Sequence, residues 1–130
     1  MTYNKIFGEG AFYKDDVFAQ LSAPGATPAL NVLGLKNHTF QVTIATINTN
    51  VILAIEGSHD GINFFEVPAG PQVNVAVTGM THASGRYTIT VNGNYRIVAQ
   101  NESIKHIRLR FVSETGGTTA TVSPVYHGVN

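Results

Sequence analysis

Alternation of apolar and polar side chains with a period of two limits this chain most. Phe40, Val42 and Ile44 alternate with Thr39, Gln41 and Thr43. Tyr87, Ile89 and Val91 alternate with Thr88 and Thr90, and Ile107, Leu109 and Phe111 with His106, Arg108 and Arg110. Ala120 and Val122 alternate with Thr119, Thr121 and Ser123. Successive side chains of a strand point to opposite faces, so each segment reads as a half-buried strand. The stretch from Val51 to Ile55 is apolar on both faces and reads as a central strand. The punctuation agrees. Asn48-Thr49-Asn50 predicts a tight connection, Gly116-Gly117 a turn, and Asp60-Gly61 and Asn92-Gly93 predict type I′ hairpins, which need positive φ. Such signals recur about every ten residues, as in sandwiches and small barrels.

The first third of the chain departs from this rhythm. Residues 22–28, Ser-Ala-Pro-Gly-Ala-Thr-Pro, have loop composition and divide an N-terminal arm and linker (1–28) from a β-sandwich domain (29–130). Within the arm, Phe12, Tyr13, Val17, Phe18 and Leu21 fit neither helical nor strand spacing, leaving a short helix and an irregular strand both open. Phe7, Phe12, Tyr13 and Phe18 are ill suited to water, so they either pack on their own sandwich or reach a neighbouring subunit. They are the candidate interface residues.

Composition narrows the function. A chain of 130 residues suits one domain, and without cysteine it has no disulfide, thiolate metal site or Cys nucleophile. Eight basic and eight acidic residues balance, which argues against a dedicated nucleic-acid binder. No apolar run is long enough to span a membrane, and none follows Met1 as a signal peptide would, so synthesis in a cytoplasm is expected. Charged residues are 12% of the chain, about half the usual share. That fits either an ordinary uncharged β surface or one covered in an assembly.

Catalytic and metal chemistry find little support. His38, His59, His82, His106 and His127 are spread along the chain without zinc-motif spacing. Asp15 and Asp16 are adjacent and would diverge on a strand. Glu56 and Asp60 flank a turn where a cation could also draw on backbone carbonyls, but there is no dense acidic loop, and turn chemistry is the expectation. No G-x-S-x-G, P-loop or dinucleotide fingerprint occurs; Gly8-Glu9-Gly10 lacks the preceding strand. The expectation is therefore no enzyme, no catalytic residue, no bound metal and no cofactor. His106, Arg108 and Arg110 form a basic strip that is a candidate contact for an anion or partner, or a strand face with acidic cross-strand neighbours. Phe64 and Phe65 point opposite ways on a strand, so one is expected in the core; an exposed one would suit sugar stacking, though the chain has no Trp. The sequons at Asn37 and Asn101 are read as chance matches.

The segment Ile55-Glu56-Gly57-Ser58-His59-Asp60-Gly61-Ile62-Asn63-Phe64-Phe65-Glu66-Val67 resembles a hairpin of jelly-roll sandwiches, including discoidin-like and galactose-binding-like modules. Ile104-Lys105-His106-Ile107-Arg108-Leu109-Arg110-Phe111 is similar to a later strand of the same modules. Together with Gly85-Arg86-Tyr87, Gly116-Gly117 and the Thr/Val-rich end, the order over residues 29–128 resembles small proteins of phage structural-gene regions, the capsid decoration or cement proteins. The resemblance implies an all-β fold, a two-sheet antiparallel jelly-roll-like β-sandwich with an N-terminal extended arm. It further implies a virion location, a major capsid protein as partner and a homo-oligomer, with a trimer favoured. It carries over no catalytic or binding residue. The alternative expectation is a carbohydrate-binding recognition module on a virion or cell surface, which shares the fold.

Overall fold

The structure is a computed structural model that describes residues 4–5, 12–68, 79–83 and 85–130. It is an all-β sandwich of two antiparallel sheets, and the described residues contain no helix. One sheet has five strands in the order β1 (Asn4–Lys5), β2 (Phe12–Val17), β12 (Thr121–Val129), β5 (Asn37–Ala45) and β10 (Gly93–Ala99). The other has seven: β3 (Gly25–Ala26), β11 (His106–Thr115), β6 (Asn50–Ser58), β9 (Arg86–Ile89) and β8 (Met80–Ala83), with β4 (Leu30–Asn31) also on β11 and β7 (Phe65–Glu66) also on β6. The open alternative at residues 12–17 resolves as strand. Residues 12–26, read from the sequence as arm and linker, pair with both sheets: β2 runs along Val125–Val129 of β12, and β3 lies against Arg110 and Phe111.

The alternating segments place their apolar sides between the sheets. Phe40, Val42, Ile44, Ile97, Val122 and Tyr126 face Leu53, Ile55, Tyr87, Ile107, Leu109 and Phe111, all buried. β6 lies between β11 and β9, so Val51–Ile55 is the central strand that its two apolar faces suggested. Interior area of this kind contributes roughly 25 cal/mol per Å² of apolar surface removed from water.

Several turn signals turn corners between the sheets. β5 leads to β6, β9 to β10 and β11 to β12, each across the sandwich. Asn92-Gly93 is therefore a corner and not a hairpin, and Asn92 does not take the positive φ of a type I′ turn. Its Oδ1 instead accepts from the Ile47 amide at 3.0 Å, tying one corner to another. Asp60-Gly61 does lie in the β6–β7 hairpin, but only Gly61 has positive φ there, 78°. Thr46 has φ 55°, unusual for a β-branched residue. Reciprocal bonds hold it: its hydroxyl donates to the Thr119 carbonyl at 2.6 Å, and the Thr119 hydroxyl donates to the Thr46 carbonyl at 3.0 Å. Gly116-Gly117 packs directly on the same corner, since a Cβ on Gly117 would lie 2.0 Å from the Asn48 side-chain nitrogen.

One polar pair lies deep in this interior. His38 and Tyr126 are both fully buried, with the His38 Nδ1 and the Tyr126 hydroxyl 2.6 Å apart and the His38 Nε2 3.1 Å from the Glu102 carbonyl. Burial disfavours the charged imidazolium and lowers the His38 pKa from its ordinary 6.5, partly opposed by the Glu102 carbonyl. The unfolded chain then binds a proton that the folded chain resists, so stability is full above that ordinary value and falls as pH drops below it. Urea midpoints should decline between about pH 7.5 and about pH 5.5, and less so in His38→Gln. An equal decline in both proteins would place the effect elsewhere.

Candidate partner-contact surface

Six hydrogen bonds gather around the turn at Asp60. Ser58 ends β6, and its hydroxyl oxygen accepts from the amides of Asp60 (3.2 Å) and Gly61 (2.9 Å) while donating to the Asp60 Oδ1 at 2.9 Å. That same Oδ1 accepts from the amides of Ile62 and Asn63, each at 2.8 Å, and Oδ2 accepts from the Asn63 side-chain amide at 2.8 Å. These bonds, the Asn63 and Ile62 amides foremost, hold the Asp60 carboxyl well below the usual carboxylate range. Gly61 is needed for its left-handed φ and because the His106 ring packs beneath it, 3.2 Å from where a Cβ would stand. Asp60 thus serves turn chemistry, the expected alternative to a cation site.

This fixed turn displays apolar groups. Ile62 at its tip is 81% exposed and Phe65 is 42% exposed, its ring 5.5 Å from that of His59. Phe64 and Phe65 diverge as expected, but neither enters the core; Val67 does, fully buried. Phe64 instead lies against the Arg108 guanidinium, 3.8 Å from carbon to ring centroid, a cation–π contact worth about 1 kcal/mol.

Beneath the turn runs the outer face of β11 and β6. Cross-strand register sets Arg108 opposite Glu56 and His106 opposite Ser58. Glu56 Oε1 accepts from Arg108 Nε at 2.7 Å, and Oε2 from Arg110 Nε at 3.0 Å. Next to them Arg86 grips Glu66, with Nη2 at 2.9 Å from Oε2. The strip His106, Arg108 and Arg110 lies along one face of β11, with its two guanidiniums joined to one buried carboxylate, the acidic cross-strand neighbour of the alternative reading.

The candidate arm residues scatter. Phe7 lies outside the described residues, and of Phe12 only the backbone is described, at the start of β2. Phe18 is partly buried against Phe40 of its own core, ring centroids 6.3 Å apart. Tyr13 lies on the outer face of the five-stranded sheet beside His127, centroids 6.3 Å apart. Ile62 was the residue that sequence pattern missed; its signal was an apolar side chain directly after Asp-Gly, where a turn forces it outward. Among the described residues no three His, Asp or Glu side chains come close enough to hold a metal ion.

No family model and no curated protein matches this chain. Its fold is similar to that in the crystal structure of the SPBc2 prophage-derived protein YomS, with a TM-score of 0.62 over 98% of this chain and 100% of that one. The two sequences are 10% identical, so the likeness is one of fold.

Proposed function

We propose that this chain is a non-enzymatic structural protein of a bacteriophage virion, a capsid decoration protein that binds the major capsid protein as a homotrimer and bridges neighbouring shell subunits. The observation that carries the reading is the Asp60 turn, which holds Ile62 and Phe65 in water at no apparent advantage to the isolated sandwich. A turn already ordered loses little entropy on docking, and burying each of these side chains contributes about 1.5–3 kcal/mol. His106, Arg108 and Arg110 form the floor beside it, where Arg108 and Arg110 share the Glu56 carboxylate and one positive charge is left over for an acidic or polar partner group. A trimer presenting three such turns to a symmetric shell multiplies a weak contact. Full-length likeness of fold to a prophage-derived protein, and the low charge of the surface, support the same reading.

Two measurements test it. Light scattering at micromolar concentration should give three times the mass of the 13.9 kDa chain. Co-sedimentation with shells of the major capsid protein encoded in the same genome should retain the protein, and Ile62→Asp with Phe65→Asp should weaken retention by at least about tenfold. Both positions are exposed, so the double variant should unfold at the parent temperature. Retention unchanged in that folded variant, or no retention of the parent protein, would refute the proposal.

A further inference from the structure

The opposite side of the sandwich has a different chemistry. Register lays the outer face of the five-stranded sheet out in rows: Arg96, Gln41, Val125 and Val17; then Val98, Thr39, His127 and Asp15; then Asn94, Thr43 and Ser123. A cleft of about 300 Å³ lies on this face, lined by Thr39, Gln41, Asn94, Arg96, Val125 and His127. Arg86, Arg108 and Arg110 are each paired with a carboxylate. Arg96 differs from them: it is exposed and has no hydrogen-bond or ion-pair partner among the described residues. Asp15, three strands away and one row along, stands about 16 Å off and is joined to His127.

Gln41 and Asn94 beside Arg96 are uncharged, while His127, which also lines the cleft, is joined to the Asp15 carboxylate. Gln41 is exposed, and the Asn94 Oδ1 accepts from the Thr43 hydroxyl at 2.5 Å, which leaves the Asn94 amide N–H groups without a partner among the described residues. Val125, 37% exposed, lies beyond Gln41 on β12 and supplies an apolar patch. One free guanidinium set among amides, hydroxyls and a small apolar patch matches a ligand that is rich in hydroxyls and sparsely anionic. A strongly acidic peptide would call for more cations, and a neutral sugar would leave Arg96 unused.

We propose that this face binds an anionic glycan, an extended saccharide bearing carboxylate or phosphate groups. Arg96 takes the anion through its planar fork of N–H donors, the geometry that fits either group bidentately. Gln41, Asn94 and Thr39 bond sugar hydroxyls, and Val125 lies under the apolar face of a ring. The site shares no residue with the Asp60 turn and requires no capsid, so its failure in solution would leave the decoration reading standing.

Calorimetric titration of the full chain with a galacturonate tetramer, a hyaluronate hexasaccharide and a glycosylated glycerol-phosphate oligomer tests it, with maltohexaose as the neutral control. At least one anionic probe should bind and maltohexaose should not; whether uronates or the phosphate oligomer binds distinguishes the two anions. Arg96→Gln should weaken binding by about tenfold or more, and Arg96→Lys should recover only part, since an ammonium keeps the charge and loses the fork. Lys105→Gln, which removes an exposed charge outside this face, should bind as the parent does. No binding of any anionic probe, equal binding of maltohexaose or of a polyglutamate peptide, or equal losses in Arg96→Gln and Lys105→Gln would overturn the proposal.

Discussion

Tyr126→Ala should destabilise the fold by about 4 kcal/mol, a large part of the roughly 5–15 kcal/mol that holds a domain together. The ring is fully buried, with centroids 5.2 Å from Phe40 and 6.0 Å from His38, so its removal leaves a cavity in the five-stranded sheet's side of the core. It also leaves the His38 Nδ1 without its partner. Tyr126→Phe separates the contributions: it keeps the ring and strands only the imidazole, for a loss of about 1–3 kcal/mol. The Tyr126 hydroxyl fills the space over Gly128, two residues on along β12, where a Cβ would stand 2.1 Å from that oxygen. Urea denaturation measures both variants. A loss under about 1.5 kcal/mol for Tyr126→Ala would mean that the site collapses around the gap.

Glu56→Ala should come second in size. The carboxylate is 10% exposed and is shared by Arg108 and Arg110, whose side chains are 23% and 36% exposed. Removing one partner of a fully buried pair costs about 3–5 kcal/mol, because a charge is left behind in a poor solvent. Solvent reaches both guanidiniums here, so the expected loss is smaller, about 2 kcal/mol. Replacing all three groups, as Glu56→Ala with Arg108→Met and Arg110→Met, removes the stranded charges and should restore much of that loss. If the triple variant is no more stable than Glu56→Ala in the same urea titration, the destabilisation comes from lost packing and not from unpaired charge.

The readability of this chain depended on whether a strand hides its apolar side. β5, β11 and β12 do; the core residues of β5 and β11 were legible from spacing, and in β12 Val122 was but Tyr126 was not. β2 inverts the pattern. Its Lys14 is 4% exposed and its ammonium donates to the Asn31 carbonyl, while Val17 is 74% exposed. A strand that buries a lysine and displays a valine gives no usable period, which is why residues 12–17 could be read as either helix or strand. The turns show a second limit. Asn92-Gly93 has hairpin composition, yet the side chain of Asn92 bonds the Ile47 amide at another corner, a tertiary partner that no local rule supplies. At the candidate surface, the basic strip and the Asp-Gly turn were visible in sequence. The pairing of both guanidiniums with Glu56 was not, because it depends on which strand lies beside β11. Arg96 gave no signal at all; what distinguishes it is the partner it lacks.

The position of β12 has a consequence for how the molecule comes into being. It lies between β2 and β5, so the five-stranded sheet is divided in two until residues 121–129 are present. A nascent chain still on the ribosome would hold β2 and β5 with bare edges facing a gap, able to pair with any other strand of the same character. Closure therefore waits for residues 121–129, which are synthesised after β1 to β11. A cell crowded with copies of this chain would be most exposed to tangling in the interval before that segment emerges.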